Sequence, residues 1–469
     1  MTGKYLLFGM EWLIFGYFIV LYFVYASLNV FAVIQIRRYL QIARTADGDN
    51  VFSSLDLPIS VIVPAYNESA SIITSIRAML QLEYPHYEVI VVNDGSTDDT
   101  LEKIQREFGM QRFPEAYRDR IHCEQVRGVY RSPLYPTLRV VDKVNGGSKA
   151  DAMNAGINAA RYPLFCAVDA DSILQPDSLR RAVRPFLEDP DTVASGGTVR
   201  IANGCSVRGG FLEGVALPRN ILALIQVVEY LRAFLYGRMG WTQLNAVLII
   251  SGAFGVFAKE VVVQAGGYRS DALGEDMELV VRIHKLMRAA GRRYRITFVP
   301  DPICWTDAPE DLQTLRKQRI RWHHGLAQCL SIHRGLMFDR KGGAVSWLAM
   351  PFYLVFELLA PVVEMFGYIV LTAAALFGWI PWQTTAMFFC LAIGLGLLLS
   401  TSALVLEELS FHVYPRLSDL LLLFVAALIE NLGYRQLTVL WRLRGLANWM
   451  RGRVPEWGVM KRSASLSQR

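Results

Sequence analysis

The stretch Ile59-Ser60-Val61-Ile62-Val63-Pro64-Ala65-Tyr66-Asn67-Glu68 passes from a β-branched run straight into polar residues. A short apolar run of this kind reads as a strand buried on both faces, and the polar residues mark its carboxyl end. The same design recurs where Glu88 to Val92 leads into Asn93-Asp94-Gly95-Ser96-Thr97-Asp98, and where Leu164 to Val168 leads into Asp169-Ala170-Asp171-Ser172. Helical patterns follow over Glu68 to Leu82, Asp98 to Phe108 and Pro176 to Leu187. This alternation between residues 58 and 305 predicts an α/β domain with a mostly parallel sheet and helices on both faces. Open sheets bind ligands beyond the carboxyl ends of their strands, so the polar ends are where chemistry is expected.

The sequence on either side of this domain is apolar. Of 469 residues 53% are hydrophobic, more than a soluble enzyme usually carries. Trp12 to Ile34 is uncharged over twenty-three residues, enough at ~1.5 Å per residue to cross a hydrocarbon core of ~30 Å. It exceeds a signal-peptide core and no small-residue cleavage site follows, so it reads as an anchor. Arg37, Arg38 and Arg44 lie just after it and place the following chain in the cytosol.

Beyond Trp322 come three long apolar segments: Ala344 to Ile380, interrupted by Pro351, Glu357, Pro361 and Glu364; Thr384 to Leu406, without charge; and Leu417 to Leu440, carrying Asp419, Glu430 and Arg435. A cytosolic catalytic domain and a cytosolic tail require an even number of crossings there. Either a charged segment is interfacial or re-entrant, or the Pro-split segment crosses twice, or the tail lies outside. The expected organisation is an anchor over 1–40, a catalytic domain over 41–325, an interfacial segment over 326–343, a membrane region over 344–441 and a basic tail over 442–469.

The net charge is +6, and its basic clusters fall at expected membrane boundaries, which points to anionic lipid and away from nucleic acid. The six cysteines show no CxxC spacing, against both a zinc site and a disulfide framework.

Asp169 and Asp171 emerge together at a strand end and can share a divalent cation. A departing nucleoside diphosphate needs such a cation to neutralise its charge. Glu275-Asp276 opens a helix after Gly266-Gly267-Tyr268, and Asp276 is suited to take a proton from an attacking hydroxyl. Acidic residues also stabilise a helix start by themselves, and that reading stays open. Gln318-Arg319-Ile320-Arg321-Trp322 on a helix puts Gln318, Arg321 and Trp322 on one face, joining a phosphate-binding guanidinium to a sugar-stacking indole; a helix at a membrane boundary would use the same residues. Lys149 opens a helix after Gly146-Gly147-Ser148 and could meet phosphate.

In chain order the motifs are P-x-Y-N-E, N-D-G-S-T-D, G-G-S-K-A-D-A-M-N, D-A-D, S-G-A-F-G, G-E-D and Q-R-I-R-W. This series, over about residues 58 to 325, closely resembles the family 2 membrane glycosyltransferases, a group that includes cellulose, hyaluronan, chitin-oligosaccharide and poly-N-acetylglucosamine synthases. The resemblance implies a GT-A fold and transfer of a sugar, with inversion, from a nucleotide sugar such as UDP-GlcNAc to a growing β-linked polysaccharide. It places Tyr66, Asn67, Glu68, Asp94, Lys149 and Asp169 at the donor, Asp169 and Asp171 on Mg2+ or Mn2+, and Asp276 with Glu275 at the catalytic base. It places Ser251, Gly252, Gln318, Arg321 and Trp322 at the acceptor and diphosphate.

The sequence departs from relatives with a Cys-Gly pair at Ser251-Gly252 and with Thr-Glu-Asp at Gly274-Glu275-Asp276. The expected partners are donor, polysaccharide or glycolipid acceptor, membrane lipid, and an export or accessory subunit or a second copy. The expected location is the plasma or inner membrane with the catalytic domain cytosolic. Transfer of one sugar to a lipid acceptor and an inactive nucleotide-sugar-sensing scaffold are the alternative readings.

Overall fold

A computed structural model describes residues 2–46, 56–115, 118–378 and 381–453. Ile380 and the end of the basic tail from 454 lie outside the described residues. The main sheet runs, edge to edge, Gln111–Phe113, Val126–Arg131, Leu138–Lys143, Tyr87–Asn93, Ile59–Ala65, Leu164–Val168, Phe254–Ala258, Thr192–Ile201, Arg295–Thr306, Ile173–Leu174. Its centre, from Leu138–Lys143 to Leu164–Val168, is parallel. The helices Ile72–Met79, Thr100–Phe108 and Lys149–Ala159 make the crossovers, as strand and helix alternation requires.

Register brings the strand ends level. Ala65 pairs with Asn93 and Asn93 with Asp142, so the residues after three strands open on one rim. Phe254–Ala258 enters antiparallel with Phe254 opposite Val168, which sets Ser251-Gly252-Ala253 beside Asp169-Ala170. Antiparallel strands on both sides of the parallel centre make the sheet mixed.

Two differences from the sequence pattern have local causes. The first helix begins at Ile72 rather than Glu68, because Asn67 takes φ +56° and its amide oxygen accepts from the Thr97 backbone N–H at 2.8 Å. The strand Leu138–Lys143 carries Arg139, Asp142 and Lys143, all buried, which masks it in the hydrophobic pattern. Each has a partner: Arg139 meets Glu88 at 2.9 Å, Asn93 donates to Asp142 at 2.7 Å, and Lys143 reaches Asp94 and Asp151 at 2.5 Å.

Trp12 to Ile34 lies within the helix Thr2–Ala46. Among the described residues Phe15–Ile42 and Leu417–Met450 are long and apolar enough to cross a bilayer; Val345–Leu358 with Ala360–Leu376, bent by 40°, is a third if it forms one span. Thr384 to Leu406 forms most of the 29-residue helix Trp382–Ser410. The last span is kinked at Leu432 and Gly433, where φ reaches +93° at the glycine. Two expected boundaries move. The helix Leu312–Ile332 runs through residue 325, and Arg442 to Met450, the start of the expected basic tail, ends the helix Arg435–Met450, packed on Leu312–Ile332. Gly445 is the contact: a Cβ there would stand 2.7 Å from the Ile320 carbonyl oxygen. No disulfide forms.

Lys149–Ala159 seats on the sheet through Gly156, where a Cβ would fall 2.3 Å from the Ile62 Cγ2 methyl. Gly156→Ala is therefore expected to cost about 1–3 kcal/mol by overpacking, read as a lower thermal midpoint of the purified protein.

Candidate active site

A cavity of about 1340 Å³ opens at the rim of the sheet. Tyr66, Asn67, Glu68, Asp94, Lys149, Asp169, Asp171, Ser251, Gly252, Glu275, Asp276, Gln318, Arg321 and Trp322 all line it, so every residue expected at the site is brought to one chamber. The chamber continues among the helices, where Tyr17, Tyr25, Phe352, Tyr353, Glu357 and Arg435 also line it.

Its centre is a chain of polar contacts. Lys149 Nζ donates to Asp169 Oδ1 and, at 2.8 Å, to the Gly252 carbonyl. The Gly252 N–H in turn donates to Asp276 Oδ2 at 3.2 Å. The two carboxylate groups, more than a hundred residues apart in sequence, thus meet across one glycine. Burial works against the Lys149 charge, but Asp169, Glu275 and Asp276 overcome it and raise its pKa. Burial, then the Asp276 charge, pushes Glu275 up to about 7.

The helix Glu275–Ala289, which presents Asp276, is tied to Leu312–Ile332, which presents Gln318 and Arg321. Gly274 and Gly325 touch: a Cβ on Gly325 would stand 3.0 Å from the Gly274 nitrogen. Buried Glu278 pairs with Arg282 at 2.7 Å and with His333, at the end of the second helix, at 3.1 Å. Gln318 is 8% exposed, and among the described residues its buried Oε1 has no hydrogen-bond partner. Trp322 is 44% exposed.

The donor-side residues divide. Tyr66 is half exposed and open to a ligand. Asn67, expected on the donor, spends its side-chain oxygen on Thr97 and Asp98, so it staples two loops. Glu68 accepts from Ser71 at 3.1 Å at the following helix. Gly95 holds φ +62°, and a Cβ there would meet the Asn145 nitrogen at 2.7 Å, so only glycine lets these loops close. Lys149, expected on phosphate, is held between Asp169 and Gly252.

The sequence reading misses Lys143, whose buried ammonium holds Asp94, and Arg319, which pairs with Glu229 and lies 4.7 Å over the Trp322 ring. For Lys143 the signal was its place three residues before the quoted Gly146-Gly147-Ser148 loop; for Arg319 there was none, since Glu229 is remote in sequence.

Asp169 and Asp171 suit a hard cation. Among the described residues no third His, Cys, Asp or Glu completes a cluster, and two carboxylates with ligand phosphates are a usual set for Mg2+.

Residues 60–211 match glycosyl transferase family 2, and residues 164–399 match glycosyl transferase family group 2. The poly-beta-1,6-N-acetyl-D-glucosamine synthase of Staphylococcus aureus strain COL is 31% identical over 267 residues, covering 57% of this chain and 54% of the relative. The synthase of the same description from Staphylococcus epidermidis is 30% identical over 268 residues, with the same coverage. The match thus spans about half the length of these curated relatives. A mannosyltransferase of Pyrobaculum calidifontis, solved with GDP-Man and Mn2+, has the same fold: TM-score 0.51 at 21% identity, over 88% of this chain and 99% of that one.

Replacing Lys143 by Met strands the Asp94 and Asp151 carboxylates side by side in the interior. The expected loss is about 3–5 kcal/mol, read as a lower thermal midpoint that Asp151→Asn in the same chain partly restores.

Proposed function

The chain belongs to glycosyl transferase family group 2, and on that premise we propose that it elongates a β-linked polysaccharide from a UDP-sugar such as UDP-GlcNAc, with inversion, at the cytosolic face of the plasma or inner membrane. The observation that carries this reading is the Asp169–Lys149–Gly252–Asp276 chain of contacts, which brings Asp169 and Asp276 to one chamber.

In this reading Asp276 takes the proton of the acceptor hydroxyl, and its Oδ2 is oriented for that by the Gly252 N–H. Attack comes from the face opposite the leaving group, so an α-linked donor gives a β-linkage. Asp94, braced by Lys143, receives the donor base. Asp169 and Asp171 would hold Mg2+ or Mn2+, which supplies charge neutralisation to the departing diphosphate. Gln318 Oε1 and the Arg321 and Trp322 side chains line the acceptor and diphosphate region.

A chamber larger than the ~300–1,000 Å³ of common small-molecule sites, reaching between membrane helices, supports a chain-length acceptor over a single sugar. The arginines after the anchor support a cytosolic catalytic face.

Purified protein given labelled UDP-GlcNAc and Mg2+ is expected to make a ladder of products; one single product species would overturn elongation. Asp276→Asn is expected to lower turnover about 10²–10⁴-fold, and ordinary turnover would remove Asp276 from its role.

The pH profile follows from Glu275. Below about 7 Glu275 holds a proton, and above it Glu275 is ionised, its negative charge beside Asp276 favouring proton transfer from the acceptor. The acid limb of kcat/KM is expected near pH 7, with activity rising as pH rises. Glu275→Gln removes the group that titrates there, so the limb should move to lower pH.

A further inference from the structure

Most arginines lining the cavity lean on a carboxylate: Arg232 on Glu430 at 2.6 Å, Arg435 on Glu364 at 2.9 Å, with Arg319 and Arg442 paired likewise. Arg238 lines the same cavity with no carboxylate against it among the described residues. Its Nη1 is buried and makes no hydrogen bond, and its guanidinium lies 3.7 Å over the Phe234 ring and 5.6 Å from the Phe298 ring. Aromatic faces offset part of the cost of burying a cation but satisfy none of its N–H donors.

Local backbone presents this side chain. Arg238 ends a π-helix, Leu231–Arg238, a widened turn common at functional sites, and the Thr242 hydroxyl donates to the Arg238 carbonyl at 2.9 Å. Burial lowers the guanidinium pKa to about 10, with Tyr353, Asp276 and Tyr230 acting to raise it, and Asp276, Tyr230 and Tyr353 line the same cavity.

We propose that Arg238 is a phosphate-binding residue of this chamber, receiving a phosphoryl oxyanion beside Asp276. The proposal rests on the glycosyl-transfer reading for its context. A planar guanidinium with unused donors matches phosphate oxygens in a way an ammonium does not. That oxyanion comes from the donor diphosphate or from the phosphate of a lipid entering between the helices.

The test is direct binding to the full-length protein in detergent, with UDP and inorganic pyrophosphate in Mg2+ as one pair of probes and farnesyl phosphate in mixed micelles as the other. Arg238→Gln is expected to weaken one pair by roughly 10- to 100-fold, with a smaller loss for Arg238→Lys. Loss confined to UDP and pyrophosphate assigns the donor diphosphate; loss confined to farnesyl phosphate assigns a lipid phosphate. Unchanged affinity for both, in a variant with a wild-type thermal midpoint, overturns the proposal. Should Arg238→Gln fail to fold, Arg238→Lys, which keeps the charge and loses the fork, carries the same reading. UDP release from UDP-GlcNAc by the unaltered protein is measured separately, so failure of the glycosyl-transfer reading shows there and not in these affinities.

Discussion

Lys149 is the cation on which the site's geometry depends. Asp169, Glu275 and Asp276 come to the chamber from a strand end and from a helix start, and without a positive charge among them they would repel one another across a low-dielectric cleft. Lys149 is fixed there by its own helix, capped where Ser148 accepts from the Asp151 N–H at 3.3 Å and seated on the sheet by Gly156. The sheet register then completes the arrangement. Phe254 opposite Val168 brings the Gly252 carbonyl to Lys149 and the Gly252 N–H to Asp276, so the backbone of one glycine joins both sets of carboxylates.

The same principle of paired charge governs the membrane half. Glu357, Glu364, Glu430 and Arg435 look out of place in apolar segments, yet each has an opposite charge on another element: Glu357 with Arg442, Glu364 with Arg435, Glu430 with Arg232. Charged groups at membrane depth are tolerated where they face one another or a cavity rather than lipid. Here they line the chamber that begins at the sheet rim. The apolar helices therefore enclose polar space continuous with the site.

What could be read from the sequence follows from what is local. Asp169 and Asp171 are legible because a buried strand runs directly into them, and Asp276 because it opens a helix; their meeting across Gly252 depends on an antiparallel strand that the alternation of strand and helix does not announce. Leu138–Lys143 is hidden because its buried charges are neutralised by Glu88, Asn93, Asp94 and Asp151, none of them sequence neighbours. Arg319 is hidden for the same reason. Asn67 shows the converse: its type and place suit a ligand, while its oxygen is spent holding two loops together.

The departure at Gly274 also finds a physical setting. A Cβ at Gly274 would meet Gly325 at 3.6 Å or more, which is ordinary contact. The demand falls on the other partner, because a Cβ on Gly325 would press on the Gly274 backbone itself at 3.0–3.2 Å. With Glu278 bridging Arg282 and His333 behind this contact, the helix that carries Asp276 and the helix that carries Gln318 and Arg321 are held at one fixed separation. Spacing between Asp276 and the ligand-facing side chains is thus set by backbone contact, which a change in side chain at position 274 leaves in place.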